Sequence, residues 1–93
     1  MIISSGTLCE KYKVLDLVVA FESQTAGCGS SIKVEKAYKN ALASLVKSAE
    51  AKEADAIINV NFQNRVATVA VGCGSSGQAF EVFAWGTAVK VVE

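Results

Sequence analysis

Residues 79 to 92, AFEVFAWGTAVKVV, are apolar at almost every position and rich in β-branched and aromatic side chains, which predicts a strand and narrows what the rest of the chain can do. Alternation puts Phe80, Val82, Ala84 and Ala88 on one face and Phe83, Trp85, Val89 and Val91 on the other. Both faces call for burial. The remaining segments have to supply what covers them.

Upstream, KVLDLVVAFE at 13 to 22 has Leu15, Leu17, Val19 and Phe21 at one parity and Val14, Asp16, Val18, Ala20 and Glu22 at the other, the period of a strand. AIINVNFQNRVATVAV at 56 to 71 starts as a half-wet strand, with Ile58, Val60 and Phe62 alternating against Asn59, Asn61 and Gln63. After Arg65 the alternation fails. That break predicts a bulge near Asn64 and Arg65, or entry into a region covered on both sides. GCGSSG at 72 to 77 reads as a hairpin-type loop into the last strand, and Met1-Ile2-Ile3 as a brief edge strand or arm stopped by Ser4, Ser5 and Gly6.

SQTAGCGSS at 23 to 31 is small, polar and glycine-rich, which predicts a loop ending in Ser30 or Ser31 as an N-cap. Beyond it Val34, Tyr38, Ala41, Leu42, Leu45 and Ala49 recur at helical spacing, predicting one amphipathic helix over 32 to 54. Such a helix is about 33 Å long. Glu35 suits the positive end of its dipole and pairs with Lys39 one turn on.

One domain spanning 1–93 accommodates these elements in the order β-α-β-β. A single helix covers one face of a three-stranded sheet. With 52% of residues hydrophobic, the second face needs cover from another copy, or from the N-terminal arm folding back over it. Association places Phe83, Trp85, Val89 and Val91, with Val69 of the preceding strand, at the interface between copies.

The nine basic and nine acidic residues cancel, which gives no electrostatic reason to bind nucleic acid or anionic lipid. No apolar run reaches the roughly 20 residues of a membrane span, and MIISSGTL lacks the pattern of a signal peptide, so a cytoplasmic protein is expected. The chain contains no histidine, the commonest general base and metal ligand. Asp16, Asn61, Arg65 and Glu81 have no such partner, and an enzyme is not expected.

The unusual feature is GCGSS, present at 27 to 31 and again at 72 to 76. Glycine-flanked thiols suit a soft metal ion or redox chemistry, and the two loops leave the same end of a β-α-β-β sheet, so Cys28 and Cys73 are the candidate ligands. Two sulfurs do not close a tetrahedral zinc site, which brings in Cys9 or a neighbouring subunit. Glycine turns with cysteine as a small apolar residue, or an anion-holding nest of backbone N–H groups, are the alternatives. No other cofactor is indicated.

MIISS, KYKVLDLVVAFES, KEADAIINVNF and AWGTAVKV, in that order across nearly the whole chain, resemble the YbjQ-like family of small bacterial proteins that carry a heavy-metal-binding label. The resemblance implies an α+β, two-layer, dodecin-like β-α-β-β subunit with an antiparallel sheet ordered one, three, two, and a ring-like homo-oligomer, a pentamer. The family usually has a glycine where this chain has Glu53, and more residues around the helix start. It implies a small oligomeric binding protein for a soft metal or small ligand; a structural or regulatory assembly module without a ligand is the alternative.

Overall fold

The computed structural model of the chain describes residues 1–26, 33–70 and 76–92. Its elements are β1 (Ile2–Ile3), β2 (Tyr12–Ala26), α1 (Val34–Ala51), β3 (Ala56–Ala70) and β4 (Ser76–Val91), in a mixed sheet of order β1-β3-β4-β2. The hydrophobic run at 79–92 is thus the body of β4, antiparallel to β2 on one side and to β3 on the other. A three-stranded, purely antiparallel sheet is not what forms. The N-terminal arm adds a fourth, parallel strand, with Ile2 opposite Ala56 and Ile3 opposite Ile57. Hydrogen bonds from Ser4 N–H to the Ile57 carbonyl (2.9 Å) and from Asn59 N–H to the Gly6 carbonyl (2.8 Å) carry the pairing further.

β2 extends four residues beyond Glu22 and so takes in Ser23 to Ala26, which composition alone reads as loop. Pairing with β4 out to Gln78 overrides their weak strand propensity. Ser76 and Gly77 likewise belong to β4 rather than to the turn before it. The helix is shorter than its apolar periodicity predicts, starting at Val34 and ending at Ala51, about 27 Å in all. Lys33 precedes it without a side-chain cap, and Ser30 and Ser31 lie outside the described residues. At the other end Ala54 N–H donates to the Ala49 carbonyl (3.1 Å) and Glu53 N–H to the Glu50 carbonyl (3.0 Å), the two bonds of a Schellman stop. That stop needs a left-handed residue, and Glu53 provides it at φ 59°.

The buried stripe of α1 is Ala37, Ala41, Leu45 and Ala49, set against Val18, Ile57, Val60, Phe80, Val82, Ala84 and Ala88 of the sheet. Three alanines of four let the helix lie close to the strands, and Leu45, with none of its surface exposed, contributes about 2 kcal/mol by burial. Tyr38 closes this layer, edge-on to Phe62 with ring centroids 5.4 Å apart, while its hydroxyl accepts a bond from Asn64 Nδ2.

Two register shifts decide which side chains join that core. In β2 the shift falls between Val14 and Asp16, and Leu15 turns to the helix side instead of lining up with Leu17, Val19 and Phe21. In β3 it falls between Ile58 and Asn61, not at Asn64 and Arg65, which pair regularly with Val82 and Glu81. Asn59 takes the left-handed conformation (φ 53°) that the bulge requires. Ile58 therefore packs with Ala56 and Val89 on the far face, while Val60 and Phe62 stay on the helix side. Gly86 of β4 faces the bulge: a Cβ there would lie 2.7 Å from Ile57 Cγ2 and 3.3 Å from the Ile58 carbonyl oxygen.

Two substitutions test these local requirements by denaturant or thermal unfolding. Gly86→Ala should cost about 1–3 kcal/mol through overpacking. Glu53→Gly should add up to about 1 kcal/mol by relieving the left-handed strain.

Candidate functional site

The face of the sheet away from α1 is the unusual surface. Its β2 side chains Leu17, Val19 and Phe21 are 60%, 64% and 50% exposed, apolar groups at least half bare in consecutive positions of one strand face. Register sets Val19 beside Trp85 and Phe21 beside Phe83, with Asn61 and Gln63 of β3 on the other flank of the same two aromatic residues. Phe21 and Phe83 pack with centroids 5.0 Å apart. The Arg65 guanidinium sits 5.6 Å from the centre of the Phe83 ring and is ion-paired to Glu81, so its charge is compensated. The result is an apolar patch edged by amides.

One end of this face is covered by the chain itself. Leu8 and Tyr12 pack over Ala56, Ile58 and Val89, so Val89 is fully buried within the subunit and has no surface to offer a neighbour. The arm thus does part of what the sequence left open to it. Val91, Phe83 and Trp85 are half-buried, and the side chain of Val69 lies outside the described residues. Leu17, Val19 and Phe21 are the residues that sequence reasoning left out of this surface. Their alternation was visible, but nothing in it says that the helix chooses the other face.

Asp16 anchors β2 where the open face begins. Its Oδ1 accepts the Leu17 N–H at 2.8 Å and its Oδ2 lies 2.9 Å from Lys52 Nζ at the end of α1. The hydrogen bond from Lys52, then that from Leu17, then the Lys52 charge hold its carboxyl below the ordinary value of 3.8. A depressed carboxylate stabilises the fold above its unfolded pKa and loses that contribution as pH falls through the folded value. Asp16→Asn should therefore lower stability slightly at neutral pH and flatten the acid limb of the stability curve, variant and wild type converging as pH falls through the depressed folded value, as read by thermal unfolding across pH.

Ala26 pairs opposite Gln78, and Ala70 opposite Ser76, so β2 and β3 end, and β4 begins, at one end of the sheet. Cys28 and Cys73 themselves lie outside the described residues. Cys9, exposed and free, belongs to the far end beside Leu8, roughly 35–45 Å away at the rise of a strand. Cys28 follows Ala26 by two residues and reaches at most about 7 Å from it. Within one chain, then, Cys9 cannot join Cys28. Among the described residues no three His, Cys, Asp or Glu side chains come together as a metal site. Half-buried Glu22, four residues before the end of β2, accepts hydrogen bonds from Gln24 and Asn40.

A depression of about 530 Å³ along the first turns of α1 is lined by Lys33, Val34, Glu35, Lys36, Lys39 and Asn40. Glu35 is tied there to Lys39 at 3.0 Å, as the one-turn spacing predicts, and both are well exposed. No helix among the described residues is long and apolar enough to cross a membrane.

Against known proteins, a family model described as "Putative heavy-metal-binding" matches residues 2–92. The chain is also similar to a crystal structure of a protein of unknown function from Pediococcus pentosaceus, assigned to the DUF74 family, which is the same family. The two share 21% identity and a TM-score of 0.78, over 99% of this chain and 98% of that one, a likeness of fold. No curated protein matches the chain.

Proposed function

The chain belongs to the YbjQ family, and from that premise we propose that it is a small homo-oligomeric binding protein, its copies associating through the open face and offering a soft metal ion the thiols of Cys28 and Cys73. The observation that carries the assembly is the exposed row Leu17, Val19 and Phe21 beside Trp85 and Phe83. An apolar patch of this kind on a stable chain marks an interaction surface, and covering each of these side chains contributes roughly 1–2 kcal/mol. The nearby charges of Arg65 and Glu81 are paired with each other, which favours a neutral partner such as another copy.

The metal reading draws on the common end at which β2 and β3 finish, together with the family's description. Thiolates are the soft donors available there, and two of them leave room for ligands from a neighbouring copy or from solution. The described residues supply no donor set of their own, which keeps the proposal on Cys28 and Cys73. An assembly module without a ligand is the second reading, and it rests on the same open face.

Light scattering tests the assembly. The wild type should give a multiple of 9.7 kDa at micromolar concentration, and Val19→Asp, altering a side chain that is 64% exposed, a folded single chain. A wild-type mass of one chain would sink the assembly. For the metal, zinc or copper(I) should protect two thiols per chain from titration and raise the melting temperature, by mass action about 2.7 kcal/mol at a hundredfold excess over Kd. Cys28→Ser with Cys73→Ser should abolish both effects. Unprotected thiols with an intact assembly would leave the module reading standing alone.

A further inference from the structure

The N-terminal arm, residues 1–10, is held to the subunit more lightly than the side chains beneath it. Ile2 N–H donates to the Asp55 carbonyl (3.3 Å) and Ser4 N–H to the Ile57 carbonyl (2.9 Å). In the other direction, Asn59 N–H donates to the Gly6 carbonyl (2.8 Å) and Val60 N–H to the Ser4 carbonyl (2.9 Å). The paired stretch is two residues long and parallel, the weaker kind of ladder. Met1, Ile2 and Ile3 all stay at least 40% exposed, so the arm gains little apolar burial by lying where it does. Few buried apolar contacts and exposed backbone bonds mark a segment that opens well before the whole chain unfolds. The joint with β2 falls at Cys9 and Glu10, both exposed, just before Val92 N–H fixes the Lys11 carbonyl (2.9 Å).

The covered residues are of the opposite kind. Ala56, Ile58 and Val89 are buried, and Leu8 is the side chain that the arm lays on them. Tyr12, which also packs there, begins β2, and its hydroxyl lies 3.0 Å from Thr7 Oγ1 of the arm. Bare apolar surface already runs up to this cover: Val14, opposite Val89, and Leu17, opposite Thr87, are both more than half exposed. The β3 bulge is involved as well. Asn59 and Val60 are consecutive, and both give their N–H groups to the arm, Asn59 from the left-handed conformation of the bulge. The arm thus hides an apolar cluster and two backbone donors together.

We propose that residues 1–10 are a strap that opens as one unit, and that its opening lengthens the apolar face offered to a second copy by Ala56, Ile58 and Val89. The gating rests on the assembly reading, whereas the opening does not. Closed, the strap is an autoinhibitory contact that shortens the open face. Open, it joins that cluster through Val14 and Leu17 to Val19 and Trp85, the surface on which the assembly reading places another copy. The residues uncovered are uncharged and apolar, as that surface is.

Hydrogen exchange of the dilute chain, resolved to residues by fragmentation, and light scattering test the inference on the wild type, Leu8→Ala and Ser4→Pro. Leu8→Ala removes the apolar anchor, and Ser4→Pro removes one donor on an edge strand, where proline is tolerated. In the wild type the amides of Ser4, Asn59 and Val60 should share one protection factor, at least about a hundredfold below that of Leu45 in α1. Each variant should reduce protection of Asn59 and Val60 at least about threefold. The dissociation constant of the assembly should fall by the same factor, because the open form becomes more populated. If Asn59 and Val60 are as protected as Leu45, or exchange independently of Ser4, no separate strap exists and the proposal is overturned. If the strap opens but both variants leave the dissociation constant unchanged or raise it, the gating is overturned. A one-chain mass in the wild type and both variants overturns the assembly reading and the gating with it, while a shared protection factor still supports the strap. Where one variant does not fold by circular dichroism, the other and the wild-type exchange decide.

Discussion

One helix has to cover a sheet longer than itself. At about 27 Å, α1 spans little more than half of the roughly 50 Å length of β2, and only on one face. The chain measures 58 × 21 × 15 Å, an elongated body in which no position is far from solvent. Even the helix side is incompletely covered, as Val66 is 57% exposed although it pairs beside buried Phe80. Every other feature of the molecule answers to this shortage of cover. The arm packs Leu8 over one end of the far face, Tyr38 extends the helix layer with an aromatic ring, and the middle of the far face stays bare.

The succession of elements was legible because each long segment keeps one period for most of its length, two in the strands and 3.6 in the helix. The faces were less legible. Alternation assigns parity, but a bulge reverses parity, and in β2 it does so inside a largely apolar run. Leu15 sits among leucines and valines, so its transfer to the helix side leaves no trace in the pattern. At Asn59 a signal did exist. Asparagine tolerates the left-handed conformation, and Gly86 marks a place where another backbone comes close, but the pairing that unites them joins residues far apart in sequence. The end of the helix was misread for a related reason. Glu53 occupies a position where glycine is the usual signal, so nothing at the sequence level announced the stop.

The candidate site divides in the same way. The common end of β2 and β3 followed from the order of elements, since two strands antiparallel to a third must finish together. Cys9 lies at the opposite end of β2 from Ala26, a separation that the count and spacing of cysteines do not carry. Val89 was reasonably assigned to an exposed face and is on that face, yet Leu8 and Tyr12 cover it. The open surface shifts accordingly from the end of β4 to its middle and to β2.

The two register shifts also separate what the chain keeps for itself from what it leaves open. On β3 the arm occupies the edge as far as Val60, whose N–H donates to the Ser4 carbonyl as that of Asn59 donates to the Gly6 carbonyl, and the shift between Ile58 and Asn61 ends that region. On β2 the shift between Val14 and Asp16 has the same place, after which Leu17 begins the bare face. At each boundary an Asp or Asn side chain, Asp16 or Asn61, accepts the N–H of the residue that follows it, Leu17 or Phe62. A bulge bends its strand and strengthens the local twist, which makes it a poor place for a second strand to lie. On β2 the regular stretch beyond the bulge is the part that carries the exposed apolar side chains, so the backbone irregularity that sends Leu15 to the helix side also marks where the bare face begins.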